Sequence, residues 1–227
     1  TYYIDATAGK DSNNGTSTST PWKTIAKVNS SSFSAGDNIL FKKGETWREQ
    51  LSISSSGTSG KPITYSFYGT GIKPVIDGVN ARQYGIFASN KSFITIDGFI
   101  VKKMLKAGNV YAICFEGGSY NVVKNCDISE VYYVSNPYPG VGVDEHDWEH
   151  QYGGGIEISS NGGEISGCTI RDCGMQGINY GTGDNVLKSN LMSIHDNEIT
   201  NCNIMLRVST SSVTSGIAIQ NVKIYNN

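Results

Sequence analysis

Charge is scarce in this sequence. Asp, Glu, Lys and Arg make up 17% of its 227 residues, and the formal net charge is −2. A nucleic-acid-binding chain carries a basic patch or stripe; none stands out here, so nucleic acid is not an expected partner. Long apolar runs are missing as well, since no stretch approaches the roughly 20 residues of a membrane-spanning helix. None of the five cysteines (Cys114, Cys126, Cys168, Cys173, Cys202) has the C-x-x-C spacing of zinc or redox motifs, and an odd number cannot all pair within one chain. The sequence opens at Thr1 with no charged-then-apolar leader, so any signal peptide is expected to have been removed already or to lie outside this sequence; a secreted, extracellular protein is the expectation.

Gly, Ser, Thr and Asn are abundant instead, alongside 3 Trp, 13 Tyr and 7 Phe. That is the profile of an extracellular all-β protein with enough apolar mass for a substantial core. No composition break divides it, so residues 1–227 are expected to form a single domain.

A weak internal repeat decides the architecture. Five segments share an apolar residue, a small or polar third residue and a second apolar residue at the sixth place: Ile96–Val101, Val123–Ile128, Ile165–Ile170, Ile194–Ile199 and Ile219–Ile224. Their third positions are separated by 27, 42, 29 and 25 residues, intervals typical of stacked solenoid coils. The long interval holds an extra loop within residues 131–154. Upstream lie short alternating strands, Ile113-Cys-Phe115, Ile156-Glu-Ile158 and Ile178-Asn-Tyr180, with Ile156 and Ile158 inside and Glu157 outside. Such strands bury their apolar side only by stacking coil on coil. The same register lays Cys126 over Cys168 and Cys173 over Cys202. A disulfide is geometrically open to neighbouring strands, but buried thiols are the expectation, because a narrow solenoid needs small inward residues.

The first 80 residues carry a resemblance. Tyr2-Tyr3-Ile4-Asp5-Ala6, Gly9 to Gly15, Pro21-Trp22-Lys23-Thr24-Ile25 and Gly36-Asp37-Asn38-Ile39-Leu40-Phe41 are similar to the amino-terminal cap of the pectate-lyase-like right-handed parallel β-helix superfamily. Gly44 to Leu51, Pro62 to Tyr65 and Pro74 to Gly78 continue it into the first coils. The resemblance implies an all-β solenoid with a short N-terminal capping helix: residues 1–60 form the cap and first coil, and 61–227 the remaining coils. In the cap, Thr20 is expected to cap the helix with Pro21 in its first turn, and Ile25 and Val28 to share its buried face. The last repeat runs to Asn227 with no polar cap, so association through an open C-terminal end is also expected.

The Asp11-Ser-Asn13-Asn-Gly15 run suggests a calcium loop, but its glycine falls one place early for an EF-hand-type loop and Trp22 stands where the bidentate Glu belongs, so an Asx turn is the simpler account. The densest chemistry lies in the insertion. His146 and His150 are four residues apart without the H-E-x-x-H arrangement of zincins, and Asp144 and Asp147 offer hard oxygen ligands that would suit Ca2+. His150 is a catalytic candidate, and Trp148 and Tyr152 are candidates for stacking on sugars. Beyond the insertion, coil stacking is expected to bring Glu116, Glu157, Asn179 and Arg207 together on an outer face.

In this column Glu157 and Arg207 are the catalytic candidates, and Glu116 and Asn179 substrate-binding ones. Lyases of the superfamily eliminate across a uronate, with a metal or cation neutralising the carboxylate and a basic residue taking the proton; Arg207 is best placed for this, ahead of Arg171 and Lys188. No lyase motif maps residue by residue onto these positions, so the resemblance implies a substrate class, an acidic polysaccharide cleaved by β-elimination. Two other readings stand beside it. One is a non-catalytic glycan-binding or adhesin-like module; the other is a glycoside hydrolase pairing Glu157 with Asp144 or Asp147.

Overall fold

The structure is a computed structural model and describes residues 1–106, 108–133, 153–182, 191–210 and 223–227. Among the described residues the regular elements are strands apart from one five-residue helix, and the ladders between those strands are parallel. No helix among the described residues is long and apolar enough to cross a membrane.

The chain winds into coils with three faces. Eight strands stack in chain order on the first: β1 (Tyr2–Ile4), β2 (Asn38–Lys42), β5 (Ile63–Tyr68), β8 (Ile94–Asp97), β11 (Ser119–Lys124), β14 (Asn161–Ser166), β16 (Met192–His195) and β18 (Lys223–Tyr225). The second carries β3 (Thr46–Trp47), β6 (Val75–Asp77), β9 (Ile100–Lys106) and β12 (Asp127–Tyr133). The third carries β4 (Leu51–Ser52), β7 (Tyr84–Ser89), β10 (Val110–Glu116) and β13 (Gly153–Ile158). β15 (Thr169–Thr182) turns the corner between second and third faces without a break, and β17 (Glu198–Thr210) follows it.

The expected repeat is the one that stacks. Ile96, Val123, Ile165 and Ile194 are successive register partners, as are Val101, Ile128, Ile170 and Ile199, and also Ile113, Ile156 and Ile178. All are buried in one continuous core, Ile199 partly. After β8, β11, β14, β16 and β18 the chain turns at a left-handed residue, Gly98, Asn125, Gly167, Asp196 and Asn226 respectively, with φ between 53° and 74°. Gly and Asn reach this conformation at least cost.

The last repeat has a different phase from the expected one. Ile224 pairs with Ile194, so it opens its repeat where the sequence pattern placed it at the close; Ile219 lies outside the described residues. Asn227 decides the phase: its Oδ1 accepts from the Asn197 backbone N–H at 3.1 Å and its Nδ2 donates to the Ile194 carbonyl at 3.1 Å. Asn197 does the same one coil earlier, toward Cys168 and Ile165.

The capping helix is α1 (Ile25–Asn29), and Ile25 and Val28 form its buried face as expected. Its cap is Thr24 rather than Thr20: Thr24 Oγ1 accepts from Lys27 N–H at 3.0 Å. Trp22 is drawn away into a bridge with Ile4, which leaves the Thr20–Pro21 pair ahead of the helix. Asp11 secures the approach, its carboxylate accepting from the backbone N–H groups of Lys23 and Thr24 and from the Thr24 hydroxyl. At Asn14 the side chain accepts from Thr16 N–H, the Asx turn of this loop. All five cysteines are buried free thiols.

Candidate active site

The outer side of the third face forms the candidate site. Along β13, Ile156 and Ile158 point into the core and Glu157 points outward. The rung through Glu157 runs Phe87, Cys114, Glu157, Asn179, Arg207 across five neighbouring strands. The sequence expectation is therefore corrected at one place. Glu116 is not on this rung; Cys114 is, and Glu116 lies two residues further along β10, opposite Ser89. The ladder counts strand positions, and Cys114 occupies the position equivalent to Glu157.

A cleft of about 190 Å³ opens here, lined by Tyr84, Asn109, Tyr111, Cys114, Glu116, Glu157 and Asn179. Tyr84 and Tyr111 are register partners on adjacent coils, and the Tyr84 ring stacks on Phe87 with centroids 4.7 Å apart. Tyr111 reaches this side because the strands bend next to it. The column at the bend is Gly85, Ala112, Gly155 and Gly177, and a Cβ at Gly155 would stand 2.6 Å from both the Gly177 carbonyl oxygen and Ile170 Cγ2. Ala112 packs in the core while Tyr111 lines the cleft, so the in-and-out alternation is broken between them.

Glu157 is the focus of the cleft. Asn179 Nδ2 donates to its Oε2, Ser159 Oγ donates to its Oε1 at 3.2 Å, and the Tyr111 hydroxyl also reaches the carboxyl. Burial pushes Glu157 above the usual carboxylate range, outweighing the opposite pull of those hydrogen bonds and of the Arg207 charge. Burial and the neighbouring carboxyls also raise the Cys114 thiol, and take the Tyr84 phenol to about 12. The arrangement places a carboxyl that holds its proton more tightly than usual beside a second carboxyl, Glu116.

Of the residues singled out in the sequence, Glu116, Glu157 and Asn179 line one cleft, with Arg207 on the Glu157 rung. Arg171 lies elsewhere, on the second-face part of β15, paired with Asp172 at 2.7 Å. Asp144, Asp147, Trp148, His150, Tyr152 and Lys188 lie outside the described residues. No group of three or more His, Cys, Asp or Glu placed to hold a metal occurs among the described residues, and the Asp144 and Asp147 proposed for Ca2+ lie outside them. Tyr84, Asn109, Tyr111 and Cys114 were not singled out in the sequence. The column of small residues beside Tyr111 was the one signal that could have found it.

Comparison with known proteins places the chain. Residues 2–143, more than half of it, match the Pel9A-like right-handed β-helix region. A lacto-N-biosidase of Bifidobacterium longum subsp. longum is 40% identical over 92 residues, a match spanning 37% of this chain and 6% of that protein. Among solved structures, a rhamnogalacturonan lyase superposes with a TM-score of 0.58 at 16% identity, over 98% of this chain and 64% of its own. A lacto-N-biosidase of family GH136 from Eubacterium ramulus does so with a TM-score of 0.52 at 13% identity, over 99% of this chain and 55% of its own. At such identities these structural likenesses concern the fold, and this chain spans under two thirds of each of these relatives. The chain belongs to the Pel9A-like right-handed β-helix family.

Proposed function

We propose that the third-face cleft binds a carbohydrate chain of an exported glycan-degrading protein, and that Glu157 donates a proton to the glycosidic oxygen being cleaved. The observation that carries this reading is a carboxyl raised by burial in a cleft, oriented by Asn179, Ser159 and Tyr111. A general acid must be protonated at working pH, and burial is how a carboxyl is kept so.

The second carboxyl favours hydrolysis. With strands about 4.8 Å apart and a rise of about 3.3 Å per residue, the Glu116 and Glu157 Cα positions are roughly 8 Å apart, so two carboxyls share one cleft, as hydrolysis of a glycoside needs. Glu116 is the partner carboxyl, acting as base or nucleophile. The Tyr84–Phe87 pair offers an aromatic wall to a sugar ring. One observation favours a second reading, the β-elimination expected from the sequence: Arg207 shares the Glu157 rung and could neutralise a uronate. The described cleft lining itself holds two acids and no Lys or Arg, which weighs toward an uncharged substrate.

The test is release of reducing ends from neutral oligosaccharides, with ultraviolet detection of unsaturated uronates on pectate and alginate in parallel. Glu157→Gln and Glu116→Gln are expected to lose about 100-fold or more in rate with melting temperatures no lower than that of the wild type. Full activity in Glu157→Gln would sink the proposal, and unsaturated products from the wild type would establish elimination in place of hydrolysis.

A further inference from the structure

Outside the cleft, four cysteines meet in two pairs. Cys173 and Cys202 are register partners on β15 and β17, both in the core. The Cys173 and Cys202 thiols donate in the same way, each to the carbonyl two residues back on its own strand, Arg171 at 3.6 Å and Thr200 at 3.4 Å, so the two sulfurs hold equivalent positions on adjoining strands. Cys126 and Cys168 repeat the arrangement at an earlier corner, just ahead of the Asp127–Thr169 register pair. Neighbouring strands hold such Cα atoms about 4.8 Å apart, within the roughly 4.4–6.8 Å spanned by disulfides.

The two pairs differ in access. Cys126 and Cys168 are 0% and 1% exposed, whereas Cys202 reaches 9%. In each pair the neighbouring thiol lowers one cysteine against the effect of burial, Cys126 in one and Cys202, to about 7, in the other; the thiolate is the form that attacks a disulfide, and of these two Cys202 has the access.

We propose that Cys173 and Cys202 form an oxidisable pair that an external disulfide, such as oxidised glutathione, converts into a covalent clamp between two successive coils. The Cys202 thiolate attacks one glutathione sulfur, forming a mixed disulfide and expelling glutathione thiolate. That thiolate takes the Cys173 proton, and the Cys173 sulfur attacks the Cys202 sulfur, forming the protein disulfide and expelling the second glutathione, which is protonated by solvent. Two protein thiols are oxidised and one glutathione disulfide is reduced to two thiols. The clamp closes the segment between positions 173 and 202. It lies six residues before Asn179 on one strand and five before Arg207 on the next, and so ties together the two strands that complete the Glu157 rung.

The purified protein is incubated in glutathione buffers of increasing oxidised fraction, quenched by alkylation and mapped by peptide mass spectrometry, with thermal melts on the same samples. The expected result is a Cys173–Cys202 link two hydrogens lighter than the dithiol, with Cys114, Cys126 and Cys168 alkylated only after denaturation. The melting temperature should rise by roughly 7–14 °C, from the loop-closure entropy of a ring of about 30 residues. Cys202→Ser should abolish both link and rise, and Cys126→Ser should keep both. A persistent glutathione adduct on Cys202, a link only between Cys126 and Cys168, or five free thiols in fully oxidising buffer would each overturn the inference. The wild-type map decides even where a variant folds poorly.

Discussion

Truncating Asn121 to alanine tests how the coils are held together. The side chain is fully buried at the first-face end of β11 and bonds in both directions along the solenoid. Its Oδ1 accepts from the Ile94 backbone N–H at 3.1 Å, and its Nδ2 donates to the Lys91 carbonyl at 2.8 Å and to Ser160 Oγ at 3.3 Å. Asn121→Ala strands the Ile94 N–H and the Lys91 carbonyl in the interior. Each buried orphan costs about 1–3 kcal/mol, so the total is about 4 kcal/mol. For a chain of this size that lowers the melting temperature by roughly 8–16 °C. Ser160→Ala is the control: it removes one partner of Asn121 and orphans the Gly162 carbonyl that Ser160 Oγ bonds, at about 2 kcal/mol and a fall of about 4–8 °C. Calorimetric melts of the three proteins measure both. A fall in Asn121→Ala no larger than that in Ser160→Ala would refute the reasoning, because the amide would then not be the tie between coils.

Two further outcomes follow from the site. Gly155→Ala forces a methyl against the Gly177 carbonyl and Ile170; overpacking of this kind costs about 2 kcal/mol, read as a melting temperature lower by roughly 4–8 °C. The Glu157 carboxyl titrates above its ordinary value of 4.5 in the folded chain, so the stability it contributes is complete below about pH 4.5 and is lost as pH rises through the raised value. Wild-type melts across this window should therefore show a loss that Glu157→Gln lacks. Parallel curves for the two proteins would mean that burial does not hold the carboxyl neutral.

The stacking of Ile96, Val123, Ile165 and Ile194 was legible because inward apolar residues and a left-handed corner recur locally in every coil. Ile156 and Ile158 inside with Glu157 outside was legible for the same reason, since side chains alternate with a period of two. The phase of the last repeat was not: apolar residues at 219 and 224 satisfy the pattern, and only the bonds of Asn227 to Asn197 and Ile194 select the arrangement. Of the neighbours of Glu157, Asn179 and Arg207 were legible, but on the other side Cys114 takes the rung assigned to Glu116, and Tyr111 was not foreseen. Facing in or out is a property of a few consecutive residues and can be read along the chain. Lateral neighbours in a solenoid depend on the length of whole coils and on where a strand bends, and those were decided only when the coils stacked.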